Sequence, residues 1–183
     1  MYVGEGNNTA AALALAFSRI PKARLTVATP EGYGVEPSIL HQCQEFCAES
    51  GAIIETSHDV RRLPRHVDAV YTTRWETTGT VKLDPDWRTK FSPFCVTPAL
   101  MKKVSKPSGT VFMHDLPAVR GQDVLSDILD GPSSIAFKQA RNKLYAAMAV
   151  LEWCIPGEEA VSYTRSAEKT YRNGTKLSAT VFG

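Results

Sequence analysis

Tyr2-Val3-Gly4-Glu5-Gly6-Asn7-Asn8, continued by an Ala- and Leu-rich segment over 8–20 and then by Arg24-Leu25-Thr26-Val27-Ala28-Thr29, decides the architecture of this chain. Tyr2-Val3-Gly4 reads as the end of a strand whose beginning is missing, because strands usually run about 5–6 residues. Glu5-Gly6-Asn7 is a turn. An Asn or Thr cap at its start and Pro21 at its end bound a helix over 8–20. The β-branched run at 24–29 predicts the next strand, and Pro30-Glu31-Gly32-Tyr33-Gly34 is turn chemistry after it.

The same alternation continues outward. Pro37 suits a first helical position, and Ile39, Leu40, Cys43, Phe46 and Cys47 keep helical spacing until Gly51 stops it. Strands are predicted at 52–56, 69–72, 110–113 and 134–137, with a helical turn at 59–63 and helices at 86–91, 98–104, 123–129 and 139–154. Strand and helix in turn predict parallel strands joined by right-handed crossovers, a Rossmann-like open α/β sheet with helices on both faces. Residues 1–157 form the expected domain, and 158–183 a polar tail with Asn173-Gly174 as a turn and 177–182 as a possible terminal strand.

Composition narrows the function. At 183 residues, 43% hydrophobic and 22% charged, the chain is an ordinary globular domain. Its formal charge of +2 gives no basic field for nucleic acid or an anionic membrane. The most apolar run, 10–17, is far short of the roughly 20 residues that span a bilayer, and it lacks the pattern of a signal peptide. A soluble, cytoplasmic chain is expected. Cys43, Cys47, Cys95 and Cys154 make no disulfide framework and read as core thiols.

Chemistry is sought where strands end, because open α/β sheets hold ligands beyond the carboxyl ends of their strands. Gly4-Glu5-Gly6-Asn7-Asn8 occupies the place of a dinucleotide fingerprint, but its third glycine is Thr9 and no acid follows the second strand. A nicotinamide oxidoreductase is therefore disfavoured, and the turn reads either as a ligand cradle or as plain packing. His114-Asp115 is a candidate acid/base pair, against the alternative of a satisfied core histidine. Neighbours on a strand point to opposite faces, so the two need not touch. The long connection 73–94 carries Arg74-Trp75-Glu76, Thr77 and Thr78, a lining suited to a zwitterion or a solvated loop with Trp75 packed down.

Four motifs in order resemble the amino-acid-binding half of the aspartate/ornithine carbamoyltransferase family, in register from Tyr2 to about Trp153. Val3-Gly4-Glu5-Gly6-Asn7-Asn8 resembles Val-Gly-Asp-Gly-Asn-Asn, and Ala28-Thr29-Pro30-Glu31-Gly32-Tyr33 resembles Ala-Thr-Pro-x-Gly-Tyr. Residues 72–79 match Thr-Asp-x-Trp-x-Ser-Met-Gly, and His114-Asp115-Leu116-Pro117 matches His-Cys-Leu-Pro. The resemblance implies transfer of a carbamoyl group from carbamoyl phosphate to a small-molecule amine or amino acid, with no metal and no organic cofactor. It carries substrate binding over to Asn8, Thr73, Thr77, Thr78 and Lys143, and catalysis to His114, Asp115 and Leu116, the carbonyl of Leu116 holding the carbamoyl amide. Thr77 keeps a hydroxyl, whereas Thr78 stands where the family has Met.

Three departures bear on the acceptor. The family's amine-binding aspartate is Thr73, its motif cysteine is Asp115, and its arginine on the last helix is Lys143. Asp115 is expected to replace the missing acid, with an acceptor other than ornithine in its usual pose. The family's Ser-x-Arg-Thr-Arg phosphate motif, in a preceding half, has no counterpart in this sequence. The resemblance implies a homotrimeric parent whose site lies between halves and subunits. The strand entered at Tyr2 suggests an excised domain or a shortened gene product, so the chain alone is expected to be a poor catalyst. The competing expectation is a non-catalytic amino-acid-binding or partner-binding module.

Overall fold

The computed structural model describes residues 1–76, 79 and 81–155. Five strands, β1 (Tyr2–Val3), β2 (Arg24–Ala28), β3 (Ile53–Ser57), β4 (Ala69–Thr72) and β5 (Val111–His114), form one parallel sheet in the order β3-β2-β1-β4-β5. The helices are α1 (Asn8–Phe17), α2 (Pro37–Ser50), α3 (Trp87–Phe91), α4 (Pro98–Val104), α5 (Ser126–Leu129) and α6 (Ala136–Cys154). The chain divides into two compact units, Met1–Ala140 and Arg141–Gly183, with α6 running through the boundary. Among the described residues no helix is long and apolar enough to cross a membrane.

Side-chain alternation along the strands builds a core on each face of the sheet. Tyr2, Leu25 and Val27 pack with Ala10 and Ala14 of α1 and Cys43 of α2. Their neighbours Val3 and Ala28 join Val70, Phe112, Val104 of α4 and Leu129 of α5 on the opposite face. Helix ends follow local chemistry. The Asn7 side chain caps α1 by accepting from the N–H groups of Thr9 and Ala10. Pro37 opens α2, and Gly51 closes it in the left-handed region at φ 71°.

Three expected elements are corrected. Helix α1 stops at Phe17, because the Arg19 and Ile20 N–H groups bond to carbonyls three residues back and tighten the last turn before Pro21. The segment 134–137 is no strand: Ser134 makes a single bridge to Phe112, and Ala136 already begins α6. The helix expected over 123–129 starts only at Ser126, since Val124 is extended and bridges Val96. The predicted tail over 158–183 lies outside the described residues.

The connection 73–94 is packed down by rings. Phe91, fully buried, meets Tyr33 at 4.8 Å, Trp75 at 5.3 Å and Trp87 at 5.5 Å between ring centres. Such tilted and edge-on aromatic contacts hold the start and end of a long connection together.

Candidate functional site

Strands β1 and β4 lie side by side, but the chain leaves β1 toward β2 and leaves β4 toward β5 on the other side. This reversal of winding opens a crevice at the carboxyl ends of the strands. Three connections meet there: the turn after β1, the residues after β4, and the residues after β5.

Asp115 is their meeting point. Its Oδ2 accepts hydrogen bonds from the Thr9 hydroxyl at 2.7 Å and the Thr73 hydroxyl at 2.9 Å. Each is charge-assisted, and together they tie the three connections to one carboxylate. The Asp115 side chain is 20% exposed, so it is shielded yet reachable. Two phenols border it. Burial, and then the negative charge of Asp115, push the pKa of both Tyr2 and Tyr71 above the ordinary phenol value. The Tyr2 hydroxyl donates to the Glu5 carbonyl at 2.5 Å, bracing the turn from below.

His114 sits behind this carboxylate, fully buried. Its Nδ1 accepts the Leu116 backbone N–H at 2.8 Å, and because that group can only donate, Nε2–H is the donor to Asp123 Oδ2, also at 2.8 Å. Asp123, itself fully buried, accepts in addition from the Val119 N–H. Asp115 Oδ1 approaches His114 Nδ1 to 3.4 Å, but that lone pair is already used by Leu116, so this contact is the weaker one. The imidazole thus supports the following residues. Leu116 is held at φ 52°, a left-handed conformation that costs an L-residue roughly 1–2 kcal/mol and persists only where neighbours over-determine it.

The structure brings together Thr73, His114, Asp115 and Leu116. Asn8 begins α1, exposed, between the cap Asn7 and the Asp115 donor Thr9. Lys143 lies on α6 in the second compact unit. Thr77 and Thr78 lie outside the described residues. Glu76 pairs with the exposed Arg88 of α3, and Trp75 is buried among rings, so this part of the zwitterion lining is turned to other uses. Among the described residues no three His, Cys, Asp or Glu side chains cluster as metal ligands.

Comparison with known proteins fits this layout. Residues 1–154 match the model of the aspartate/ornithine carbamoyltransferase Asp/Orn binding domain. The chain belongs to this family. A carbamoyltransferase-family relative, the ornithine carbamoyltransferase of Thermococcus kodakarensis, is 39% identical over 157 residues, 86% of this chain and 49% of its own length. The anabolic ornithine carbamoyltransferase of Pyrococcus furiosus is 38% identical over the same span. A solved structure of the Pyrococcus furiosus enzyme superposes with a TM-score of 0.74 at 39% identity, covering 82% of this chain and 47% of that one. The Campylobacter jejuni enzyme gives 0.72 at 27% identity. The chain spans about half the length of the relatives it matches.

Two residues of this candidate site escaped the sequence reading. Thr9 stands next to Asn8 at a helix start, where a threonine reads as a cap; only its 2.7 Å bond to Asp115, 106 residues away, gives it another role. Asp123 reads as a helix-opening acid. Its neighbours 120–122 are polar residues and a glycine, so nothing local marks it as buried; only the bond to His114 does.

Proposed function

We propose that this chain is the acceptor-binding half of an ornithine-type carbamoyltransferase, and that Asp115 holds the cationic amine of the acceptor. The observation that carries the reading is the 2.9 Å bond from Thr73 to Asp115. Where the family motif has an aspartate after β4, this chain has Thr73, and a carboxylate from the end of β5 reaches that same place. The acid has changed strand without leaving the crevice. This geometry, together with relatives that are ornithine carbamoyltransferases, favours ornithine as acceptor over the different amine that the altered motif suggested.

The chemistry asked of the residues is modest. The ammonium must first lose one proton to solvent so that its lone pair can attack the carbonyl carbon of carbamoyl phosphate; the C–O bond to phosphate then breaks, and the leaving phosphate carries off the second N–H proton. Asp115 orients the ammonium, and the two threonine hydroxyls on Oδ2 fix the carboxylate's direction. Asn8 is the candidate for the acceptor's carboxylate, at the positive end of α1. His114, held by Asp123, acts as a positioning residue for Leu116, whose carbonyl is the candidate partner of the carbamoyl amide. By the family motif alone, Thr77, Thr78 and Lys143 are further candidates for acceptor and phosphate binding. The carbamoyl phosphate half would be supplied by further sequence or another chain, in a trimeric parent.

Isothermal titration of the chain with L-ornithine tests this. Removing one partner of a desolvated charge pair costs about 2–5 kcal/mol, and the partial exposure of Asp115 points to the lower end. Asp115→Asn should therefore weaken ornithine at least tenfold. Equal affinity of the two proteins would overturn the assignment.

A further inference from the structure

Lys82 is a lysine in the wrong place for a surface loop. Its side chain is 7% exposed, whereas its neighbours Val81 and Leu83 are 85% and 94% exposed. The usual pattern, apolar in and charge out, is reversed. A lysine is almost never buried without partners, because desolvating an ammonium costs several kcal/mol. Its partners are specific. Nζ forms an ion pair with Glu5 Oε1 at 2.7 Å and donates to the Trp75 carbonyl. The rings of Trp87, Phe91 and Tyr33 surround it at 5.0, 5.3 and 5.9 Å, within cation–π range.

Lys82 and Trp75 belong to the connection after β4, Glu5 to the turn after β1, and Tyr33 to the connection after β2. One ammonium therefore joins three strand ends at the mouth of the crevice. Glu5 is two residues from the α1 cap Asn7 and four from Thr9, the donor to Asp115. A buried ion pair of this sort is a poor source of stability, since well-packed apolar replacements are often neutral or better.

We propose that Lys82 is a positioning residue for the acceptor site, clamping the Gly4-Glu5-Gly6-Asn7 turn so that Asn8 and Thr9 face Asp115. The proposal rests on the acceptor-binding reading above for its consequence, and on the turn's geometry for its substance. Nothing in it requires Lys82 to touch the acceptor.

The double variant Glu5→Gln/Lys82→Met removes both charges while keeping side-chain length. Backbone hydrogen exchange reports on the turn, through the Gly6 N–H bonded to the Tyr33 carbonyl and the Thr9 N–H bonded to Asn7. We expect an unfolding midpoint at or above that of the parent chain, exchange at Gly6 and Thr9 at least tenfold faster, and L-ornithine affinity at least tenfold weaker. A folded variant with unchanged exchange at both amides overturns the clamp whatever its affinity. Faster exchange with unchanged ornithine affinity overturns it as a positioning device. Faster exchange in a chain whose parent form takes no ornithine upholds the clamp and sinks the functional reading instead. If the double variant does not fold, Glu5→Gln alone, which leaves Lys82 an acceptor oxygen, should still speed exchange at Gly6 about threefold, and no change there overturns the clamp.

Discussion

Gly6→Ala is the substitution whose outcome the structure fixes most tightly. A Cβ built on Gly6 would lie 2.1 Å from the carbonyl carbon of Gly34, 2.3 Å from the Val35 nitrogen and 2.4 Å from the Gly34 oxygen. These are backbone atoms, more than about 1 Å inside ordinary contact, and no side chain can swing aside to relieve them. The turn after β1 and the connection after β2 must separate. Overpacking of this kind costs about 1–3 kcal/mol. The Gly6 N–H bond to Tyr33, 2.8 Å long, is strained with it and adds about 1 kcal/mol. The total is about 2–4 kcal/mol; for a chain of this size each kcal/mol lowers the unfolding midpoint by about 2–4 °C, so a fall of roughly 4–16 °C is expected by circular dichroism. Gly34→Ala is the matched control, since its Cβ would meet only His58 Cε1 at 3.6 Å and Thr29 Oγ1 at 3.7 Å. It should leave stability within about 0.5 kcal/mol. A Gly6→Ala chain as stable as Gly34→Ala would refute the close approach that shapes the turn.

Other perturbations test other parts of the account. Asp123→Ala strips the buried His114 Nε2–H and the Val119 N–H of their acceptor, and should cost about 3 kcal/mol by denaturant titration; Asp123→Asn, which keeps one oxygen, should cost less. Burial, aided by the charge of Asp123, pushes the Cys95 thiol up to about 11. At pH 8 about one Cys95 in a thousand is then a thiolate, so iodoacetamide should modify it far more slowly in the folded chain than after denaturation. Tyr2 keeps its proton in the folded chain beyond the pH at which the unfolded chain releases it, so above about pH 10 the unfolded state binds fewer protons and stability falls as pH rises. Tyr2→Phe should flatten that alkaline decline in thermal melts across pH 9–11; an unchanged slope would assign the decline to other groups.

Much of this was legible because local chemistry and the fold agree. Pro37 and Gly51 bound α2 as their backbone preferences require, and Ala69-Val70-Tyr71-Thr72, rich in strand-forming residues, is a strand from end to end. Misreadings arose where tertiary contacts overrode local pattern. Ser134 and Ile135 look like a strand, yet the approach to α6 leaves room for a single bridge beside Phe112. Asp123 resembles a helix opener, but the His114 ring claims its carboxylate and the helix begins at Ser126. The candidate site was half visible. His114, Asp115 and Leu116 are adjacent in sequence and stand at a strand end, and Thr73 follows from the family motif, whereas Thr9 and Lys82 gain their partners only through folding. The ring cluster over the 73–94 connection could not be inferred from that segment, since Tyr33 comes from elsewhere in the chain.

The most direct test of the central claim moves the carboxylate back. Asp115→Cys removes it from the end of β5, and Thr73→Asp restores it at the end of β4, from a residue whose hydroxyl now lies 2.9 Å from Asp115. Titration of the three proteins with L-ornithine should show tight binding by the parent chain, at least a tenfold loss in Asp115→Cys, and recovery in Thr73→Asp/Asp115→Cys. Ornithine bound equally well by Asp115→Cys would contradict the claim that one carboxylate in this crevice holds the acceptor amine.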